Sequence, residues 1–139
     1  MATLTKFNTT TLNQGNGKVN YATDSLMLAL CAAANAPVAT NSVLTDLTQI
    51  SYTNCSSRAI TTTSWSQTGG VAKLIIADLV ITATGTVGPF RYGVLYSNTA
   101  TNKDLIGYID LGADQTLDGT TLMTFTFDFD QSAGVLTNT

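Results

Sequence analysis

The chain has 139 residues, a formal charge of −3, 11% charged residues and 44% hydrophobic ones. It contains no histidine and no glutamate, and 26 threonines make up almost a fifth of it. That composition excludes most chemistry: no nucleophile can be activated by an imidazole, two cysteines are too few for an ordinary zinc site, and an acidic chain lacks the basic face that nucleic acid needs.

At this length one domain is expected, large enough to fold without disulfides or a metal. Threonine-rich and glutamate-poor composition disfavours helix and suits strands and turns. Residues 1–20 are polar and rich in turn formers, and read as an extended arm or a loosely held first strand; residues 21–139 read as a single β-sandwich domain. Gly15 and Gly17 lie in a loop and lack the third glycine and the βαβ setting of a dinucleotide fingerprint.

Residues 25–33 alternate Leu26, Leu28 and Leu30 on one face and form the first expected strand. The same apolar stretch mimics the core of a signal peptide, but a long polar segment precedes it and Asp24 stands where a positive charge belongs. It is also too short to span a bilayer. A cytosolic context is therefore expected, with Cys31 and Cys55 as reduced core thiols.

Residues 35–41, with Pro37, read as a loop, and 43–52 as a strand. Residues 58–67 form a Thr/Ser strand joined through Gly69-Gly70 to the next in a hairpin. The long β-branched run 71–84 reads as one central strand covered on both faces. Residues 85–89 turn the chain, 90–96 and 105–111 are strands, and 112–119 is a turn-rich connection. Residues 122–130 alternate Met123, Phe125, Phe127 and Phe129 against polar residues and make the last strand. Seven or eight short strands separated by Gly, Asn and Asp turns imply an all-β antiparallel sandwich of jelly-roll type, with little or no helix.

Asp110, Asp114, Asp118, Asp128 and Asp130 crowd the C-terminal third. Carboxylates on adjacent loops can hold calcium, yet aspartate is above all a turn residue whose side chain bonds its own backbone, and no metal, cofactor or catalytic residue is assigned. Arg58, Lys73 and Arg91 each have the means to pair with an aspartate across the sheet; Arg91, beside Tyr92, is equally suited to anchor a partner. Tyr52, Trp65, Tyr92, Tyr96 and Tyr108 suit either the core or a sugar-binding face.

The segment 87–102, reading Val-Gly-Pro-Phe-Arg-Tyr-Gly-Val-Leu-Tyr-Ser-Asn-Thr-Ala-Thr-Asn, followed by Leu105-Ile106-Gly107-Tyr108-Ile109-Asp110-Leu111-Gly112, resembles a signature of small structural proteins of tailed bacteriophages. The opening Leu4-Thr5-Lys6-Phe7, residues 36–44 and the closing Gly134-Val135-Leu136-Thr137 resemble the same group, so the likeness runs nearly end to end. One departure is Asn102-Lys103-Asp104, where proline often precedes the Leu-Ile-Gly. The resemblance implies a non-enzymatic cement, or decoration, protein of jelly-roll type on the outer surface of the virion. Its partners would be the phage major capsid protein and a second copy of itself, a dimer being favoured over a trimer, with no nucleic acid and no membrane. A carbohydrate- or receptor-binding module of a fibre, or another neck or tail component, is the alternative. Lys6 and Phe7 in the arm, with Arg91 and Tyr92, are the candidate partner-binding residues. On this reading, a chain lacking residues 2–18 should still fold but lose its hold on the shell.

Overall fold

The computed structural model describes residues 3–138. Among these residues ten strands and one short α-helix follow one another: β1 (Thr5–Lys6), α1 (Thr10–Gly15), β2 (Leu26–Cys31), β3 (Ala59–Ile60), β4 (Thr62–Thr68), β5 (Val71–Ile76), β6 (Leu79–Thr82), β7 (Val87–Ser97), β8 (Leu105–Leu117), β9 (Thr124–Phe127) and β10 (Leu136–Asn138). All pairings are antiparallel. They build a five-stranded sheet of order β1-β8-β7-β2-β3, a three-stranded sheet β10-β5-β4 and a two-stranded ribbon β6-β9. Side chains from all three sheets meet in one core, including Leu28, Leu30, Leu74, Ile76, Ile81, Phe90, Leu95, Ile106 and Phe127. The protein is thus all-β and sandwich-like, as its composition requires.

A second, smaller cluster lies apart from the main core. Ala29 and Cys31 of β2, Val94 and Tyr96 of β7 and Leu105 of β8 pack there with Phe7, and Leu44 and Leu47 close it over. Successive residues of a strand face opposite ways, so β2 and β7 are apolar on both sides. That is the property expected of residues 71–84, and the structure assigns it elsewhere. The 71–84 run is broken at Ala77-Asp78. Ala77 N–H donates to Thr61 O (2.9 Å), and Asp78 Oδ1 accepts the N–H of Phe129 (2.8 Å), so the chain leaves one sheet and enters the next. In β6, Leu79 and Ile81 point inward while Val80 and Thr82 are exposed.

Other elements match their sequence pattern. Gly69 (φ +60°) and Gly70 (φ +86°) join β4 to β5 with Thr68 opposite Val71. Two consecutive positive φ angles are what a two-residue hairpin demands and what glycine allows. Gly93 faces the core: a Cβ there would lie 2.9 Å from Phe127 Cε1 and 3.2 Å from Leu28 Cδ2, so the missing side chain lets the sheets approach. The ring of Phe127 is stacked with Phe90 and Phe129 at centroid distances of 6.3 and 6.2 Å.

Further expectations are corrected. Residues 43–52 are not a strand. Asp46 Oδ2 accepts the backbone N–H groups of Ser42 (2.8 Å) and Val43 (3.2 Å), which winds Leu44–Asp46 into a 3₁₀ turn. Residues 112–119 do not end the pairing, because β8 runs on to Leu117. Phe90 pairs with Gln115 and Tyr92 with Asp110, so the turn chemistry around Gly112 produces an excursion within the strand. Finally, residues 122–130 are not the last strand, since β10 follows and pairs with β5.

Residues 3–20 are not an extended arm. Strand β1 pairs with β8, α1 follows, and Phe7, Thr10, Asn13 and Val19 are buried. Thr10 Oγ1 donates to Ile106 O (2.7 Å) and accepts from the Phe7 N–H (3.1 Å), fastening the helix start to the sheet. The segment covers part of the second cluster through Phe7, beside Leu44 and Leu47.

Two outcomes follow from this packing. Phe127→Ala should lower the unfolding free energy by about 3–5 kcal/mol in urea titration, because it empties a space bounded by two sheets. Deletion of residues 2–18 should lower the melting temperature sharply by uncovering the second cluster, the reverse of the outcome expected for a free arm. Thermal unfolding followed by circular dichroism checks both.

Candidate functional site

The four residues proposed from sequence fall into two places. Lys6 lies on β1 opposite Gly107 of β8. Its Nζ donates to Thr137 O and to Asn138 Oδ1, each at 2.8 Å, and Asn138 in turn donates to Gln14 Oε1. Lys6 therefore fastens the first strand and α1 to the last strand. A polar cleft of about 430 Å³ opens beside it, lined by Lys6, Thr11, Gln14, Gly15, Thr137 and Asn138. Phe7 is only 3% exposed and lies 5.3 Å, centroid to centroid, from the ring of Tyr108. Its side chain serves the second cluster and offers no surface to a partner.

Arg91 and Tyr92 lie in β7 near the excursion of β8. Arg91 grips Asp110 with two hydrogen bonds, Nε to Oδ1 at 2.8 Å and a terminal nitrogen to Oδ2 at 3.2 Å. The guanidinium also sits 5.6 Å from the centre of the Tyr92 ring. Tyr92 is half-buried and packs, like Phe7 and Tyr108, against the second cluster. The structure thus brings Phe7 and Tyr92 to one cluster and sets Arg91 beside it, while Lys6 serves the junction of the first and last strands. The Arg91–Asp110 pair is the cross-strand pairing that the sequence allowed, and a third of the Arg91 side chain remains exposed.

Two further cations are also anchored. Arg58 donates to Leu28 O (2.8 Å) and lies 3.5 Å over the ring of Tyr52, while Lys73 reaches Ser132 O (3.4 Å). The aspartates are largely occupied with turns. Asp118 Oδ1 accepts the N–H groups of Thr120 and Leu122, and Asp130 Oδ1 those of Ser132 and Ala133. Among the described residues no three metal-binding side chains converge.

These contacts shift the titration of the groups involved. The Arg91 guanidinium, then the Gly112 N–H, hold the Asp110 carboxyl below the usual carboxylate range. Backbone N–H donors do the same for Asp46, Asp118 and Asp130. Burial pushes the Cys31 thiol up to about 11 and the Tyr52 hydroxyl up to about 12. Cys31 and Cys55 are separate free thiols, and a thiol held neutral by burial is a poor nucleophile.

Tyr21 and Trp65 form a further aromatic pair that sequence reasoning did not join. Their rings meet edge to face with centroids 4.9 Å apart, beside a shallow cleft lined also by Gln14, Gly17, Val19 and Asn20. The two residues are distant in sequence, and only the docking of the N-terminal segment brings them together.

The fold and these contacts define a class: an all-β antiparallel domain in which both arginines are held by its own backbone or side chains. Comparison with protein-family models, with curated proteins and with solved structures returns no match.

The shifts carry a sign. Carboxyl groups depressed in the folded state add stability above the ordinary aspartate value near about 4, and that contribution disappears as pH falls through their folded values. The Cys31 and Tyr52 groups, raised in the folded state, favour folding below their unfolded values and cease to do so as pH rises toward 11 and 12. Unfolding in urea should therefore give constant stability from about pH 5 to 8, with a decline below about pH 4 and another above about pH 9. Unchanged stability down to about pH 2 would contradict the assigned carboxylate contacts.

Proposed function

We propose that this chain is a non-enzymatic structural protein of a tailed-bacteriophage virion: a cement protein of jelly-roll type that binds the outer capsid surface and bridges major capsid subunits. The observation that carries this reading is the resemblance of residues 87–112, which form β7 and the first half of β8 around the paired Arg91 and Asp110.

The physical character of the domain supports it. A cement protein acts by linkage, since a molecule that binds only the assembled shell shifts the equilibrium toward assembly. It needs a stiff body and surfaces that lose little freedom on contact. The outward side of the β6–β9 ribbon carries Val80, Thr82, Thr124 and Thr126, all exposed, with Val80 opposite Thr126 and Thr82 opposite Thr124. Short β-branched side chains have few rotamers to surrender. Arg91 and Tyr92 remain the contact residues in this reading, whereas Lys6 and Phe7 are committed within the domain.

Mixing the protein with phage shells that lack it should place it in the shell fraction of a sucrose gradient and raise the temperature at which the shells open. Protein that stays at the top of the gradient at micromolar concentration would sink the proposal. Binding to cell-surface glycans without binding to shells would favour the fibre module instead.

A further inference from the structure

We infer that the free edge of β4 is a self-association surface, on which a second copy of the chain adds its own β4 antiparallel about a two-fold axis at Trp65. The contact joins two three-stranded sheets into one of order β10-β5-β4-β4-β5-β10.

Open edges present unpaired N–H and C=O groups to any passing strand, and proteins guard them with short strands, charges, proline or covering loops. The other edges of this protein are guarded. Strands β1 and β3 have two residues each, and β1 carries Lys6. Strand β10 has three residues and is covered by the N-terminal segment through Leu4 N–H to Val135 O and Lys6 Nζ to Thr137 O, both 2.8 Å. Strands β6 and β9 have four residues each, with Asp128 and Asp130 just beyond β9. Strand β4 has seven residues, all of them Thr, Ser, Trp or Gln. No charged residue and no proline occurs between Arg58 and Lys73.

The backbone geometry specifies the register. Thr68 and Val71 flank a two-residue turn, so they form its hydrogen-bonded closing pair. Alternation then turns Ser66 and Ser64 toward β5 and leaves Trp65 and Gln67 directed at the open edge. The irregularity between Thr62 and Ser64 leaves Thr63 as an extra residue. Among the described residues, the backbone of Thr63, Trp65 and Gln67 has no hydrogen-bond partner outside the β4–β5 ladder. A two-fold at Trp65 sets Trp65 against its own copy and Thr63 against Gln67 of the other copy, closing about six main-chain hydrogen bonds.

The occupant is another copy because the edge complements itself. Neutral hydroxyl and amide side chains meet one another, and no charge is left uncompensated in a chain of net charge −3. The single tryptophan, half-buried against Tyr21, stands at the centre of the contact, where an aromatic anchor contributes most. The inference goes beyond the capsid reading: it concerns the free chain and holds whether or not that chain binds shells.

Sedimentation equilibrium of the full chain up to about 100 µM should show concentration-dependent growth from 14.6 kDa to twice that mass, with a matching change in Trp65 emission. Thr63→Lys/Gln67→Lys sets two like-charged pairs across the axis and should weaken the dimer at least about tenfold. Thr63→Lys/Gln67→Glu sets opposite charges in the same places and should stay within about threefold of the parent. A parent chain that remains a monomer, or a double-lysine variant that dimerises as tightly, overturns the inference. Amide exchange gives a reading that needs no variant: protection of Trp65 and Gln67 should rise with concentration while that of Ser64 and Ser66 does not. Equal protection at all concentrations likewise overturns it. Because no shells are used, failure here is distinct from failure of the gradient experiment.

Discussion

The second half of strand β7, Gly93 to Ser97, is paired on both edges, with β2 and β8, and buried on both faces, and much of the molecule is arranged around that requirement. A strand in such a position must satisfy all its backbone groups from neighbours, since water cannot reach them. It must also be apolar on both sides. One side is met by the aromatic stack of Phe90, Phe127 and Phe129. The other is met by Phe7, Leu44 and Leu47, which come from segments without long strands of their own. The N-terminal strand and helix, and the 3₁₀ turn at Leu44–Asp46, are in this sense coverings. Their positions follow from the surface they must hide.

Much of the fold was legible because its signals are local. The Gly69-Gly70 hairpin, the alternation of Leu26, Leu28 and Leu30 and the Phe125 to Phe129 pattern each express a period or a turn that a few residues specify. The misreadings share a cause. A β-branched run does not record where its partners change, so residues 71–84 looked like one strand. The carboxylate of Asp78 marks the break only because the Phe129 N–H arrives from far along the chain. Likewise Gly112 bends a strand that its pairing with β7 then resumes.

The candidate site shows the same division. That Arg91 would pair with an aspartate was readable from charge and strand alternation. Which aspartate it is, Asp110, depends on the register of β7 against β8. Phe7 looked available because its surroundings in sequence are polar, but its burial comes from Tyr108 and the distant strands of the second cluster. Lys6 carried no local sign that its ammonium would tie the first strand to the last. The open edge of β4 was invisible for a related reason: a strand sequence does not say how many neighbours it has.

The bond from Lys6 to Thr137 spans 131 residues, and that from Thr10 to Ile106 spans 96. On the ribosome each of these partners is made long after the residue it joins. Residues 3–20 must therefore wait, with Phe7 uncovered, until residues as distant as Leu105 and Tyr108 have emerged. Topologies dominated by such distant pairings fold slowly. The nascent chain consequently passes through a period in which Phe7 is accessible to chaperones, before the strands that bury it have been made.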